Sequence, residues 1–264
     1  MTHLPAMVLC SALQPAFGLP LLGEEAERFL LSAEVVQMRP LEVGITRPQQ
    51  VTLRDGQHTL KAAWKTVDEF RRGITEFERG PSEVNFRDSY KYEIAAYELD
   101  KLLGLELVPP TVDREINGQR GALVLWVEGA MTEHDRRERK LQPKDSKRWS
   151  QQLYKLRLLH QLTYNTDFRN MRNLLIDPEF RIYAIDHTRA FRVRDSLLAE
   201  QTLARFSRSV LERLRRLDEP TLKEKLGDLL SGFEIGSLLK RRDRIVERAE
   251  QLVRERGESA VLYP

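Results

Sequence analysis

The chain has 264 residues, 41% hydrophobic and 31% charged, with a formal net charge of +3. That length suffices for one large domain or two lobes with separate cores, and the composition is that of a globular protein rather than a disordered or fibrous one. The single cysteine, Cys10, excludes an internal disulfide framework and a cysteine-rich metal site, and the five histidines include no His-x-x-x-His pair that would suit zinc.

From Met1 to Gly23 there is no formally charged side chain, and Pro5, Pro15 and Pro20 interrupt an apolar stretch. Small residues at Ser11, Ala12, Ala16 and Gly18 suit a signal-peptidase site, although no basic segment leads into them. Residues 1–23 are therefore read as a signal-like or disordered segment, with export slightly favoured over a cytoplasmic location. The prolines argue against a membrane-spanning helix.

Phe29–Val36 is apolar and partly β-branched and reads as a strand, with Arg39-Pro40 and Gly44 marking a turn or bulge. Gln50-Val-Thr-Leu53 alternates, Arg54-Asp55-Gly56 signals a hairpin, and Leu60–Val67 completes an antiparallel meander. Asp68 to Asn85 is charged and contains glycine and proline, which reads as a loop. A helix opens near Asp88-Ser89, with Tyr92, Ala95, Ala96, Leu99, Leu102 and Leu103 on one face and Gly104 as its stop. Thr111-Val112 starts a strand, Asn117-Gly118 turns it, and Gly121–Val127 returns. From Asp145 the pattern turns helical: Trp149, Leu153, Leu156, Leu159 and Leu162 share a face, as do Leu203, Phe206, Val210, Leu214 and Leu217. Pro220 opens a further helix, and Ile235, Leu238, Leu239, Val246, Ala249, Leu252 and Val253 line the last. The expected fold class is α+β and two-lobed: a β-rich N-lobe over residues 24–128 with one helix, then a mostly helical C-lobe over 129–264.

The chemistry concentrates in Asn165-Thr-Asp-Phe-Arg-Asn-Met-Arg-Asn173-Leu-Leu-Ile176 and Arg181-Ile-Tyr-Ala-Ile-Asp186-His187. A polar turn at Asp177-Pro178 folds two short apolar runs into a hairpin, setting Asn173 beside Asp186 as oxygen ligands for Mg²⁺ (or Mn²⁺), with Asp167 close by as a base. Singly, such residues usually cap turns; a carboxylate ending an apolar strand is costly unless paired or metal-bound. Lys65 on the third strand and Glu93 on the following helix suit a pair that grips nucleotide phosphates. Lys61 competes with Lys65, since both lie on the same strand face. Arg169 serves either to neutralise Asp167 or touch a phosphate, or as a loop arginine in water. His160 and His187 are given no chemical role.

These residues as a set resemble the atypical protein-kinase-like superfamily, specifically the branch of phosphatidylinositol 3/4-kinases and HipA-type kinases, over roughly residues 30–200. The matching text is Asn165-Thr-Asp167, Asn173-Leu-Leu-Ile176 and Ile185-Asp186-His187 closing on Ala190-Phe191, with Glu93–Leu105 running into Val108-Pro-Pro as in bacterial relatives. The resemblance implies Asp167 as catalytic carboxylate, Asn173 and Asp186 as metal ligands, Lys65 and Glu93 as the phosphate-gripping pair, and ATP lying against Trp126, Val127 and Glu128. Two departures stand out. Asn173 follows Asp167 by six residues, one more than usual in kinases, with Phe168 as the extra one, and no G-x-G-x-x-G loop is present.

The leading expectation is an ATP- and Mg²⁺-dependent phosphotransferase acting on a hydroxyl of an unidentified protein, lipid or small molecule. The alternative is a pseudokinase scaffold without turnover, and transfer of AMP is not distinguished. Nucleic-acid binding through Arg213, Arg215, Arg216 and Lys240-Arg241-Arg242 is disfavoured, because Glu212, Asp218, Asp243 and Glu247 dilute that patch.

Overall fold

The computed structural model describes residues 18–41, 48–76 and 82–264. The segment at Cys10 and the turn expected at Gly44 lie outside these residues. Gly18 pairs through its backbone with Glu128, and Leu21 is buried, so the chain from Gly18 onward is part of the fold. Helix α1 (Gly23–Ser32) comes next. This corrects the first half of the strand expected over Phe29–Val36, of which only Glu34–Val36 is strand: Ala26, Phe29 and Leu30 are buried at helical spacing, with Glu24 and Glu25 in the first turn where the helix dipole favours acids.

Strands β1 (Glu34–Pro40), β2 (Gln49–Arg54) and β3 (Thr59–Lys65) form the expected antiparallel meander. In the β2–β3 turn the Asp55 carboxylate accepts from the backbone N–H groups of Gln57 and His58. The expected loop from Asp68 to Asn85 is instead an antiparallel ribbon, β4 (Asp68–Thr75) and β5 (Glu83–Ser89). Almost all of β4 is exposed on both faces, so no hydrophobic alternation marks it. Helix α2 (Lys91–Leu103) follows, ending at Gly104 in the left-handed conformation (φ 63°). Strands β6 (Thr111–Ile116) and β7 (Gln119–Leu125) turn at Asn117-Gly118 and complete a five-stranded sheet in the order β1-β2-β3-β7-β6.

Beyond Glu128 come β8 (Met131–Thr132), α3 (Glu133–Glu138), which the sequence did not announce, and α4 (Ser146–Thr163). Strands β9 (Leu174–Ile176) and β10 (Ile182–Ala184) form the expected hairpin, with β8 on the far side of β9. A two-residue strand, β11 (Phe206–Ser207), opens α5 (Arg208–Arg216). Then come α6 (Glu219–Leu226), with Pro220 in its first turn, the long α7 (Gly232–Arg256), α8 (Glu258–Val261) and β12 (Leu262–Tyr263). The result is a sheet-rich N-terminal region followed by a helical C-terminal region.

Two large cores hold most of the buried apolar residues, and a small third cluster joins Tyr90, Ile94 and Ala122. One packs α1 through Phe29 and Leu30 on the sheet face of Val51, Leu53, Ala62, Trp64, Leu123 and Leu125. The larger joins α2 (Tyr92, Leu99, Leu103) to α4 (Leu159, Leu162) and α7 (Leu238, Ile245, Leu252). Helix α2, which lies between strands in the sequence, packs on both regions: on β6 and β7 of the sheet and on the C-terminal helices α5 and α6. Among the described residues no helix is long and apolar enough to cross a membrane.

Candidate active site

Because Ala62 and Trp64 face the α1 core, Lys61, Ala63 and Lys65 turn to the opposite side of β3. Alternation could not separate Lys61 from Lys65, but their partners do. Lys61 Nζ lies 3.2 Å from Glu128, whereas Lys65 Nζ lies 2.5 Å from Glu93 Oε1 and 3.1 Å from Asp186 Oδ1. Glu93 stands in the first turn of α2 and is 2% exposed; its Oε1 also accepts from the His187 backbone N–H at 3.0 Å. Burial alone would lower the Lys65 pKa, but Glu93 and then Asp186 overturn this and hold it above the usual lysine value. Reciprocally, Lys65 holds the Asp186 carboxyl below its usual range, against the effect of burial. Asp186 adopts a left-handed backbone (φ 64°), which an aspartate tolerates better than most residues.

The second half of the site is a loop. Helix α4 stops at Tyr164 (φ 48°), and buried Asn165 accepts from the Asp167 N–H at 3.0 Å through its side chain. Asn173 Nδ2 donates to Asp167 Oδ2 at 2.8 Å, and Asn170 Nδ2 lies 3.3 Å from the same oxygen and 3.1 Å from Asn173 Oδ1. The long interval thus does not part Asp167 from Asn173, because Phe168 packs against His160, ring centroids 6.0 Å apart. Burial drives His160 down to about 3, so it is neutral. The Ile185 N–H donates to the Asn173 carbonyl at 2.9 Å, which prolongs the β9–β10 ladder and places Asp186 one residue past that pair. Among the described residues no hydrogen bond links the Asn173 and Asp186 side chains: the structure joins Asn173 to Asp167 and Asp186 to Lys65.

The expected nucleotide-facing segment is only partly free. Trp126 N–H bonds the Lys61 carbonyl (3.0 Å), Val127 is buried, and Glu128 spends its backbone N–H and C=O on Gly18 (2.9 and 2.8 Å). The exposed Arg169 guanidinium lies over the Phe168 ring at 5.2 Å, an arrangement that leaves the aqueous alternative standing.

Two residues escaped the sequence reading. Asn170 belongs to the amide network and was visible only as one more polar residue in the loop. Asp88 read as a helix-start signal, yet it sits on β5. Burial raises its carboxyl pKa; the Thr188 side chain works against this, and nearby Asp186 adds to it. Thr188 bears on Asp186 as well, so one side chain acts on both acids. Asp88 Oδ1 is cut off from solvent and has no hydrogen-bond partner. An orphaned carboxylate oxygen near Asp186 is a hard donor of the kind that suits a divalent cation.

The chain is similar to a hydra Fam20 solved with sugar (TM-score 0.65, 16% identity, 90% of each chain covered). It is also similar to the Golgi casein kinase, alone (0.62, 15%, 90% of this chain and 78% of that one) and with Mn/ADP bound (0.61, 15%). A third likeness is to the Helicobacter pylori proinflammatory kinase CtkA (0.52, 12%, 84% of this chain and 98% of that one). No family model matches the chain, and no curated protein matches it. The fold is an atypical protein-kinase-like one.

Proposed function

We propose that this protein is a phosphotransferase that uses ATP with Mg²⁺ or Mn²⁺, and that its motifs ally it with the phosphatidylinositol 3/4-kinase and HipA-type branch. The observation that carries the reading is Lys65 held between Glu93 and Asp186, in a fold shared with kinases. A divalent ion, when bound, would neutralise phosphate charge, and Asp186, Asp88 and Asn173 supply the oxygens to hold it. Lys65 grips the phosphate oxygens, and Glu93 fixes its ammonium. Asp167, oriented through Oδ2 by Asn173 and Asn170, presents Oδ1 to the acceptor hydroxyl. As the acceptor oxygen bonds to the γ-phosphorus and the bridging P–O bond breaks, the hydroxyl proton passes to Asp167.

A nucleotide-binding scaffold without turnover is favoured by one observation: Gly18 occupies both backbone polar groups of Glu128, which a base lying against that segment would otherwise use. Radiolabelled phosphate transfer from ATP to a panel including casein and simple sugars separates the two. The expected outcome is transfer by the wild type and its loss in Asp186→Ala, with unfolding temperature little changed. Thermal stabilisation by Mg²⁺ or Mn²⁺ with ATP, but no transfer to any acceptor or to the protein itself, would favour the scaffold.

A further inference from the structure

Asp88 has no part in the motif pattern, yet its surroundings are unusual for a carboxylate at a strand end. Phe86 and Asp88 share a face of β5, and that face looks onto the segment following Asp186, since the Phe86 ring lies under the guanidinium groups of Arg189 and Arg192. The end of β5 is pinned there by the Ser89 N–H, which donates to the Thr188 carbonyl at 2.9 Å. The strand thus brings Asp88, the residue before Ser89, close to Thr188 and Asp186, and the Thr188 side chain bears on both carboxylates. The Thr188 hydroxyl has a single proton and can donate to only one of the two acids at a time. Lys65 satisfies Asp186 and Glu93 but makes no hydrogen bond to Asp88. Asp88 Oδ1 is left buried and unpaired, a state that costs free energy unless something absent from the polypeptide meets it.

We infer that Asp88 is a metal-ligating residue, which joins Asp186 in holding the divalent ion of the nucleotide complex. The inference rests on the phosphotransferase reading for the presence of that ion. The set becomes more anionic than the Asn173–Asp186 pair alone, with a second carboxylate for a hard cation.

The test is Mn²⁺ binding, read from the electron paramagnetic resonance signal of free Mn²⁺ with ADP present, in wild type, Asp88→Asn, Asp88→Glu and Asp186→Asn. Wild type should bind Mn²⁺ together with ADP. Asp88→Asn should weaken Mn²⁺ binding about tenfold or more while leaving metal-free ADP binding unchanged, and Asp88→Glu should restore it to within about threefold. Wild-type Mn²⁺ affinity in Asp88→Asn alongside loss in Asp186→Asn would overturn the inference and leave the phosphotransferase reading standing. Absence of Mn²⁺ binding by the wild type would overturn both. Should the Asp88→Asn protein not fold, anomalous scattering from wild-type crystals grown with Mn²⁺ and ADP decides: a peak bonded to Asp88 Oδ1 supports the assignment, and one bonded to Asp186 but remote from Asp88 removes it.

Discussion

The two ends of the site are assembled by opposite means. At the end proposed to grip phosphate, Lys65 meets Glu93 and Asp186 across sequence separations of 28 and 121 residues, and full charges face one another where Glu93 is only 2% exposed. At the proposed base end, Asp167, Asn170 and Asn173 belong to one loop and are tied by amide hydrogen bonds of 2.8 to 3.3 Å. The first depends on the whole fold to bring its parts together, and it pays back in rigidity only while every charge keeps its partner. The second is local, so it can be altered without unsettling the rest. Mutations at the two ends should therefore be felt in different measurements.

The largest effect on stability is expected at the first end. Lys65→Met leaves the buried Glu93 carboxylate without its cation and should cost about 3–5 kcal/mol in urea unfolding. The double substitution Lys65→Met with Glu93→Leu should recover part of that loss, because the buried uncompensated Glu93 charge is removed, while Asp186 and the His187 N–H still lack their partners. A Lys65→Met variant as stable as the wild type would show that the buried Glu93 carboxylate does not depend on the Lys65 ammonium.

At the base end the consequence moves from stability to rate. Asp167→Asn keeps an oxygen for Asn173 and Asn170 but cannot take a proton at neutral pH. Phosphate transfer should fall about 10²–10⁴-fold, while the unfolding free energy stays within about 1 kcal/mol of wild type. Equal losses of stability at Asp167 and Lys65 would erase the contrast between the two ends.

This contrast also explains what the sequence disclosed. The Asp167 loop and the β9–β10 hairpin were legible because their spacing is local; elsewhere Asn117-Gly118 marked the β6–β7 turn and Gly104 the end of α2 by backbone chemistry alone. Lys65 could be proposed from its strand, but only the fold distinguishes it from Lys61, which shares its face and finds Glu128 instead. Phe29–Val36 misled because an apolar run contains both a helix end and a strand start. The helical signal lay in Ala26, Phe29 and Leu30, with Glu24-Glu25 before them. Asp88 was hidden for a different reason. An exposed ribbon needs no alternation, and an Asp-Ser pair ahead of an apolar periodicity has the signature of a helix start. Its neighbours Thr188 and Asp186 lie about a hundred residues onward, beyond any local pattern.

Acid should sharpen the comparison further, with the smallest effect of the three. His160 supports the base loop through Phe168, and burial lowers its pKa from 6.5 to about 3. The folded state therefore takes up the proton less readily than the unfolded chain. The stability from neutral His160 is complete above pH 6.5 and is lost progressively as pH falls from there toward 3. Each pH unit in that window costs about 1.4 kcal/mol, or about 2 kcal/mol between pH 6.5 and 5. His187, also lowered by burial, acts in the same direction. Asp100 acts against them: burial raises its carboxyl to about 6, so its contribution favours the folded state as pH falls through 6 toward 3.8. Comparing urea unfolding of wild type and His160→Gln at several pH values cancels the shared groups. The variant should lose less stability than wild type by about 2 kcal/mol over that interval. Parallel curves would mean that His160 takes up its proton without disturbing the loop, and that the base end does not depend on the packing beneath Phe168.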